Sequence, residues 1–196
     1  MRARADWSGR TVLDLGCGTG FHLPLFARDA ERVVGVEPHP ALLRIAGRRT
    51  RGLENVSLLV GTAQRIPLPD HSVDVVHARW AYFFGPGCEP GLAELARVVR
   101  PGGVGLIIDN DGSRSTFGAW FRRGYPHLPT PVEIERFWAT RGWTLDRVDM
   151  GWRFERREDF EAVVRIEFKP RTAEQIIRHH EGLEVDYAVD LWSRTF

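Results

Sequence analysis

The sequence predicts an α/β protein with a doubly wound sheet of seven strands, mostly parallel and with an antiparallel last strand. Short apolar runs alternate with helix-like segments through residues 1–110, a pattern typical of a parallel sheet covered by helices on both faces. A glycine-rich turn follows the first apolar run. With 196 residues and 43% hydrophobic content, the chain is large enough to bury one core. We therefore expect a single domain over residues 1–196, made of a first half, 1–110, and a second half, 111–196.

The first half is predicted to contain five strands and three helices. The predicted strands are Thr11–Leu15, Arg32–Val36, Val56–Val60, Val73–His77 and Val104–Asp109. The predicted helices are a first one that includes Phe21, Leu23, Leu25 and Phe26, a second over Pro40–Arg49, and a third over Glu89–Arg100. Leu42, Leu43, Ile45 and Ala46 are expected on the inner side of the second helix. The third helix should stop at the breaker Pro101–Gly103.

The second half is predicted to begin with a loop, Asn110–Pro131, which includes a short helix around Phe117–Arg122. Thr130 and Pro131 have the residue types of an N-cap and a first helical turn, so the next helix should run from there to Arg141. The remaining predicted elements are a strand over Trp143–Phe154, helices over Arg157–Ile166 and Thr172–His180, and a last strand over Leu183–Trp192.

The composition argues against several classes of partner. The net charge is +1, so no global field attracts nucleic acid or an anionic membrane, and the scattered arginine pairs are expected to be solvated. Cys17 and Cys88 are too few and too far apart for a zinc site or a disulfide framework, and we predict no metal. No apolar run approaches the roughly 20 residues of a membrane span. Since the N-terminus also lacks a signal-peptide pattern, we expect a soluble, cytoplasmic protein.

The glycine-rich turn is the most informative feature of the sequence. In Val12–Gly20, three glycines alternate with small residues after an acidic residue. Glycines let the backbone turn sharply and approach a ligand closely, and the amides at the start of the following helix can bind a polar group. A dinucleotide-binding turn, G-x-G-x-x-G, would need a glycine in place of Phe21, and it would leave the carboxylate of Asp14 without a role. A nicotinamide-dependent oxidoreductase is therefore only an alternative.

Four motifs together resemble the class I S-adenosylmethionine-dependent methyltransferases. Val12–Gly20 is similar to the family's first motif, Glu37 to the acidic residue that ends the second strand, Gly61–Asp74 to the adenine-side loop, and Arg97–Gly103 to the run before the fifth strand. The resemblance covers about the first 110 residues. It implies a Rossmann-like fold and S-adenosylmethionine as cofactor, with S-adenosylhomocysteine as product.

The resemblance also implies how the cofactor is held. Asp14 and the turn backbone would receive the methionine end, whose ammonium and carboxylate suit one acidic group and free N–H donors, and Glu37 would accept the ribose hydroxyls. Thr62 stands where the family usually has an acidic residue, so its hydroxyl is a weaker partner for adenine. The predicted cofactor-binding residues are Asp14, Gly16, Cys17, Gly18, Gly20, Glu37, Pro38, Thr62, Ala63, Gln64 and Ala78.

The loop after the fourth predicted strand, Ala78–Gly85, is rich in aromatic residues. It lacks the D/N-P-P-Y/F tetrad of family members that methylate nucleobase or glutamine amines. Aromatic side chains can line an apolar pocket and hold a sulfonium through cation–π contact, so we predict a small-molecule acceptor rather than nucleic acid or protein. Core packing beneath the loop is the alternative. The predicted substrate-binding residues are Arg79, Trp80, Tyr82, Phe83 and Trp120, which Phe117 and Phe121 would join.

A general base is optional for this reaction, because displacement at a sulfonium depends mainly on alignment. His22, His77 and Asp109 lie near the ends of predicted strands, where open parallel sheets bind ligands. They are the candidate bases. For both histidines, a local hydrogen bond is the preferred interpretation.

Only ten residues precede the first predicted strand, whereas family members usually have one or two helices there that cover the cofactor. Either the sequence begins downstream of its natural start, or the segment Asn110–Pro131 supplies this cover together with a partner subunit or a second copy in a homo-oligomer. An isolated chain should bind the cofactor weakly or turn over poorly, because an uncovered sulfonium faces water. A non-catalytic cofactor-binding regulatory or partner subunit is the other alternative to methyl transfer.

Overall fold

The computed structural model describes residues 1–196 and contains one seven-stranded sheet with the order β3-β2-β1-β4-β5-β7-β6. The strands are β1 (Thr11–Leu15), β2 (Arg32–Glu37), β3 (Val56–Val60), β4 (Val73–Arg79), β5 (Val99–Asn110), β6 (Thr144–Arg153) and β7 (Glu184–Thr195). Strands β1 to β5 pair in parallel, and β7 is antiparallel to both of its neighbours. The predicted α/β sheet is confirmed, with the antiparallel last strand inserted between β5 and β6.

Seven helices connect the strands. They are α1 (Leu23–Ala27), α2 (Pro40–Arg49), α3 (Glu89–Val98), α4 (Thr116–Gly124), α5 (Pro131–Ala139), α6 (Arg157–Glu167) and α7 (Pro170–His179). Helix α5 begins as predicted, because the Thr130 hydroxyl accepts from the Glu133 N–H while the Glu133 carboxylate accepts from the Thr130 N–H. None of these helices combines the length and apolar character required to cross a membrane.

Two predictions about the first helices are wrong in detail. Phe21 lies outside α1 and is 73% exposed, whereas Leu23 and Phe26 are buried. The helix begins later than predicted because Pro24 occupies its first turn, a position that proline favours. On α2, Ala46 is buried but Ile45 is exposed, since neighbouring residues point about 100° apart around a helix of 3.6 residues per turn.

The predicted breaker Pro101–Gly103 lies inside β5 rather than before it. Helix α3 ends at Val98, and β5 starts at the next residue. Gly102 has a φ of +80°, and the pairing with β4 shifts register near its first residues. A glycine and a bulge together let a strand pass through such an irregularity, so the turn-forming residues do not end the element.

The sheet separates two apolar clusters, because successive residues of a strand point to opposite faces. Val12 and Val33 belong to the first cluster of 23 buried residues, and Leu13 and Val34 belong to the second of 19. Residues of α1, α4, α6 and α7 contribute to the first cluster, and residues of α3 and α5 to the second. The carboxyl ends of the parallel strands therefore share one edge between the two helical layers.

Candidate active site

The glycine turn after β1 is held against β2 by hydrogen bonds from the Gly16 and Cys17 N–H groups to the Val36 carbonyl, at 2.8 and 3.1 Å. Gly16 has a φ of +75°, and a Cβ at this position would lie 2.3 Å from the Cβ of Ala81. Gly18 also has a positive φ, but open space surrounds the position of its missing Cβ. The turn therefore requires glycine at position 16 and leaves room beside Gly18 for a ligand to approach the backbone.

Asp14 and His77 form a buried pair at the ends of β1 and β4. They are register partners in the sheet, and His77 Nδ1 lies 2.8 Å from Asp14 Oδ1. The other two polar atoms of the pair, Asp14 Oδ2 and His77 Nε2, are buried without a hydrogen-bond partner in the protein. Because unpaired buried polar atoms are costly, this arrangement favours a ligand with N–H donors. The local hydrogen bond expected for His77 is present.

His22 lies next to this pair but makes no side-chain hydrogen bond. Its ring centroid is 4.9 Å from that of His77. Burial, followed by the charge of His77, lowers the pKa of His22 to about 4, so its imidazole is neutral near pH 7. The ligand atoms of Asp14, His22 and His77 lie within 4.8 Å of one another, so the cluster could hold a metal ion. Our prediction of no metal stays a prediction.

A small pocket of about 330 Å³ opens over these side chains. It is lined by Asp14, Gly16, Cys17, Phe21, His22, His77, Arg79 and Trp80. The Arg79 guanidinium stacks 4.1 Å from the ring centroid of Trp80, and burial lowers its pKa. Burial raises the pKa of the Cys17 thiol to about 12, so Cys17 is a neutral small side chain. An ammonium beside the free oxygen of Asp14 fits this pocket.

Glu37 ends β2 beside the same turn. It is buried, and its two carboxylate oxygens accept from the N–H groups of Gly18 and His39, each at 3.1 Å. These contacts fix the carboxylate at the edge of the turn, and each oxygen keeps a further lone pair for a hydroxyl donor. The predicted neighbour Pro38 is exposed.

The predicted adenine-side residues lie on the next turn along the sheet edge. Gly61 donates to the Glu37 carbonyl at 3.3 Å, so Thr62 follows directly after a contact with β2. Thr62 and Gln64 are exposed, whereas Ala63 is buried in the second cluster. The side chain of Ala78, predicted to bind cofactor, is also buried in the second cluster, because it points to the opposite face from its strand neighbour His77.

A larger cavity of about 830 Å³, here called the chamber, lies beside the pocket. Trp80 borders both cavities. The chamber has aromatic and proline-rich walls and a polar floor. Its lining includes Trp80, Phe84, Phe117, Phe121, Tyr125, Leu128, Ile134 and Trp152 on the walls, and Asp109, Asn110, Tyr187 and Asp190 from β5 and β7.

Three predicted substrate-binding residues line neither the chamber nor the pocket. Phe83 is 1% exposed and belongs to the second cluster, and Tyr82 packs edge-on against it at 5.3 Å. Trp120 is buried in the first cluster and packs edge-on against His180 at 5.1 Å. Tyr82, Phe83 and Trp120 therefore pack in or against the core, which is the alternative to a role in an acceptor pocket. Trp80 lines the chamber, and Arg79 lines only the pocket.

Two carboxyl groups lie on the chamber floor. Asp109 and Asp190 are register partners across β5 and β7. Burial raises the pKa of Asp109 to about 6, and burial together with Asp111 raises that of Asp190 to about 7. Asp109 is thus the one candidate base that borders the chamber. Sequence reasoning missed Asp190, although a single acidic residue within the apolar run from Val189 to Trp192 is a signal for it.

Sequence relatives match mainly the first half of the chain. The family described as "Methyltransferase domain" matches residues 13–107. The methyltransferase Rv3342 of Mycobacterium tuberculosis is 42% identical over 119 residues, which cover 56% of this chain and 45% of the relative. The ubiquinone/menaquinone biosynthesis C-methyltransferase UbiE of Rubrivivax gelatinosus is 31% identical over 139 residues, which cover 71% of this chain and 53% of the relative. The chain thus spans about half the length of these relatives.

Solved structures share the fold over nearly the whole chain. The YcgJ protein of Bacillus subtilis superposes with a TM-score of 0.72 at 18% identity, covering 98% of this chain and 94% of YcgJ. A geranyl diphosphate methyltransferase, solved with GPP and sinefungin, superposes with a TM-score of 0.63 at 18% identity, covering 97% of this chain and 74% of that one. The sequence match includes the glycine turn and the buried Asp14. Residues 13–107 of the chain therefore match the methyltransferase-domain family, and the whole chain has the Rossmann-like fold of these solved methyltransferases.

Proposed function

We propose that this protein transfers a methyl group from S-adenosylmethionine to a small molecule bound in the chamber, by in-line displacement. The position of Trp80 is the main observation in support, because its side chain borders both the pocket and the chamber. A methionine end held in the pocket would therefore leave the methyl group facing the chamber. The aromatic face of Trp80 would also stabilise a cation at that junction.

The residues around the turn would bind the donor. The free Oδ2 of Asp14 is placed to accept from the ammonium, the turn amides to donate to the carboxylate, and Glu37 to accept from the ribose hydroxyls. When bound, S-adenosylmethionine supplies an electrophilic methyl group on a positively charged sulfur. These contacts would hold the donor at a fixed angle to the chamber, and alignment of this kind is a major source of rate enhancement.

The chamber residues would hold the acceptor and receive its proton. Apolar walls from Phe117, Phe121 and Trp152 exclude water from a bound apolar molecule. Asp109 lies on the floor with a pKa near 6, a value suited to a general base near neutral pH. Helix α4 and the loop after it form part of the chamber wall. This position supports the expectation that the segment Asn110–Pro131 covers the cofactor.

The donor half of the proposal is tested by calorimetric titration with S-adenosylhomocysteine. Asp14→Asn should weaken binding about 10- to 100-fold, because it removes the charge that pairs with the ammonium. Glu54→Gln is the matched control, since Glu54 is exposed and makes no side-chain contact of this kind. The absence of saturable binding to the unsubstituted protein would contradict the proposal.

The transfer half is tested with labelled S-adenosylmethionine and a panel of apolar small molecules. Label should appear in at least one acceptor at a rate above that of the buffer control. Saturable cofactor binding without transfer to any acceptor would favour the non-catalytic alternative. Saturable NADH binding in place of S-adenosylhomocysteine binding would favour the oxidoreductase, although the relatives reported above are methyltransferases.

A further inference from the structure

The chamber combines apolar walls with an acidic polar lining. Its ionisable carboxyl groups are those of Asp109, Asp190 and Glu167, whereas Arg122 is the one cationic residue along its lining, and it is exposed to solvent. An apolar cavity with this polar complement is suited to a molecule that is mostly apolar and has a cationic or proton-donating group at one end. A carboxylate or phosphate at that end would be repelled.

Asp190 lines this space, and one of its two carboxylate oxygens has no hydrogen-bond partner in the protein. The residue is 8% exposed, and its Oδ1 atom is buried without a hydrogen-bond partner. The nearest cation is Arg147, whose Nε lies 3.7 Å away. That guanidinium also forms an ion pair with Glu135 and lies 3.4 Å from Asp111, so it is shared among three carboxylates and does not neutralise Asp190 by itself.

Asp109 has no cationic partner in the protein. Its carboxylate accepts one hydrogen bond in the protein, from the N–H of the next residue, Asn110, at 2.7 Å. Asp109 and Asp190 stand opposite each other on β5 and β7, and side chains at such positions are about 5 Å apart at Cβ. Two neighbouring carboxyl groups in an apolar cavity, neither of them matched by its own cation, are strongly complementary to a nitrogen that carries N–H donors.

From this geometry we infer that the methyl acceptor is an apolar amine whose nitrogen is held between Asp109 and Asp190. The inference rests on the proposed function, because it names the substrate class for the same site. In its protonated form, a primary or secondary amine has at least two N–H donors and can donate to both carboxylates while its apolar body lies against Phe117, Phe121 and Trp152. An alcohol of the same size has one O–H donor and would satisfy only one of them.

The reaction balances without a further reactant. The bound ammonium first releases one proton to the Asp109 carboxylate, from which it passes to water. The lone pair of the resulting neutral nitrogen attacks the methyl carbon, and the new C–N bond forms as the C–S bond breaks. The electron pair of the broken bond stays on sulfur, which gives neutral S-adenosylhomocysteine. The nitrogen gains the positive charge, and the methylated amine leaves in its protonated form.

The test uses the full chain saturated with S-adenosylhomocysteine and three probes that share one aromatic body. The probes are 2-(1-naphthyl)ethylamine, 2-(1-naphthyl)ethanol and 1-naphthaleneacetate, each titrated by calorimetry at pH 7.5. We expect the amine to bind about tenfold or more tightly than the alcohol, as for a charge-assisted hydrogen bond, and the acid to bind most weakly. An amine that binds no more tightly than the alcohol overturns the inference, as does a failure of all three probes to bind.

Asp109→Asn provides the matched variant. It should abolish most of the amine preference while leaving the affinity for the alcohol within about twofold, and Glu54→Gln should change neither. An unchanged amine preference in a folded Asp109→Asn protein overturns the inference, and if this variant does not fold, the comparison of probes on the unsubstituted protein still decides it. Loss of S-adenosylhomocysteine binding would instead contradict the proposed function, so the two failures are distinguishable.

Discussion

The pocket and the chamber differ in how the chain builds them. The pocket is formed by β1, the turn that follows it and the end of β4, with backbone groups and the Asp14–His77 pair as its main features. The chamber depends on side chains from β5, β6, β7, α4 and the loop before α5. The family match stops at residue 107, just before Asp109. The family match therefore includes every residue that lines the pocket, whereas Asp109, Asp190 and the wall residues Phe117, Phe121 and Trp152 of the chamber lie outside it.

The largest effect is expected from Gly16→Ala in the turn. The new Cβ would lie 2.3 Å from the Cβ of Ala81, at a φ of +75°. Strain and overpacking together should cost about 3 kcal/mol of unfolding free energy and should reduce S-adenosylhomocysteine affinity about 100-fold or more. Urea denaturation and calorimetry measure the two quantities.

Gly9→Ala is the control for this change. Gly9 has a similar φ of +64°, but nothing lies within 4 Å of its missing Cβ. It should cost only about 1 kcal/mol, from backbone strain, and should leave cofactor affinity unchanged. Wild-type affinity in Gly16→Ala would show that the close approach of the turn to Ala81 is not needed for the pocket.

A crossed pair of variants tests whether the two regions are independent. Asp14→Asn should weaken S-adenosylhomocysteine about 10- to 100-fold and leave amine-probe affinity unchanged at saturating cofactor product. Asp109→Asn should do the reverse. Calorimetry with both ligands on both variants gives the four values. If each variant weakened both ligands equally, the separation into a donor site and an acceptor site would be wrong.

A smaller effect is expected in the pH dependence of stability. The pKa of Asp190 is raised to about 7 in the folded state, by burial and by Asp111, so the folded protein binds more protons than the unfolded chain between about pH 4 and 7. Stability therefore falls as pH rises through this window. The difference in unfolding free energy between Asp190→Asn and the unsubstituted protein, measured by urea denaturation, should shift in favour of the variant by about 1–2 kcal/mol from pH 5 to pH 8. If the difference in unfolding free energy between the two proteins did not change with pH, the raised pKa of Asp190 would be contradicted.

The smallest effect is expected from His22, with the opposite sign. Its folded pKa is lowered to about 4, by burial and by the charge of His77, so the unfolded chain binds more protons between about pH 4 and 6.5. The contribution of His22 to the unfolding free energy is present above pH 6.5 and is lost as the pH falls towards 4. When the pH is lowered from 7 to 4.5, the unfolding free energy of His22→Gln should therefore fall by about 1 kcal/mol less than that of the unsubstituted protein. This figure is reduced because His22 is only partly buried, so solvent screens its charge. His127 is exposed, so His127→Gln serves as the control and should lose as much unfolding free energy as the unsubstituted protein. An equal loss in His22→Gln would contradict the lowered pKa of His22.

The strands and most helices could be predicted because their signals are local. Apolar runs, glycines and the Thr130 cap act within a few residues. The insertion of β7 between β5 and β6 could not be predicted in this way, since it depends on which edge of the sheet the last strand reaches. The start of α1 could not be predicted, because the sequence pattern does not show that Phe21 stays with the glycine turn.

The site residues divide in the same way. Asp14, Gly16 and Glu37 follow from one contiguous motif and one strand end, and the structure brings them together. The Asp14–His77 contact requires the register of β1 against β4, which the sequence does not specify. The sequence does not distinguish core from cavity for Phe83 and Trp120, because an aromatic residue near a loop buries apolar area equally well in either place.

The position of β7 has a consequence for the order in which the protein is made. The ribosome delivers this strand after every other strand of the sheet, and β6 has no hydrogen-bonded neighbour in the sheet until it arrives. In a nascent chain, the pocket around Asp14 can therefore form before Asp190, one of the two carboxyl groups on the chamber floor, is in place. Any fragment released before that point would keep an open β5 edge, which is a template for aggregation.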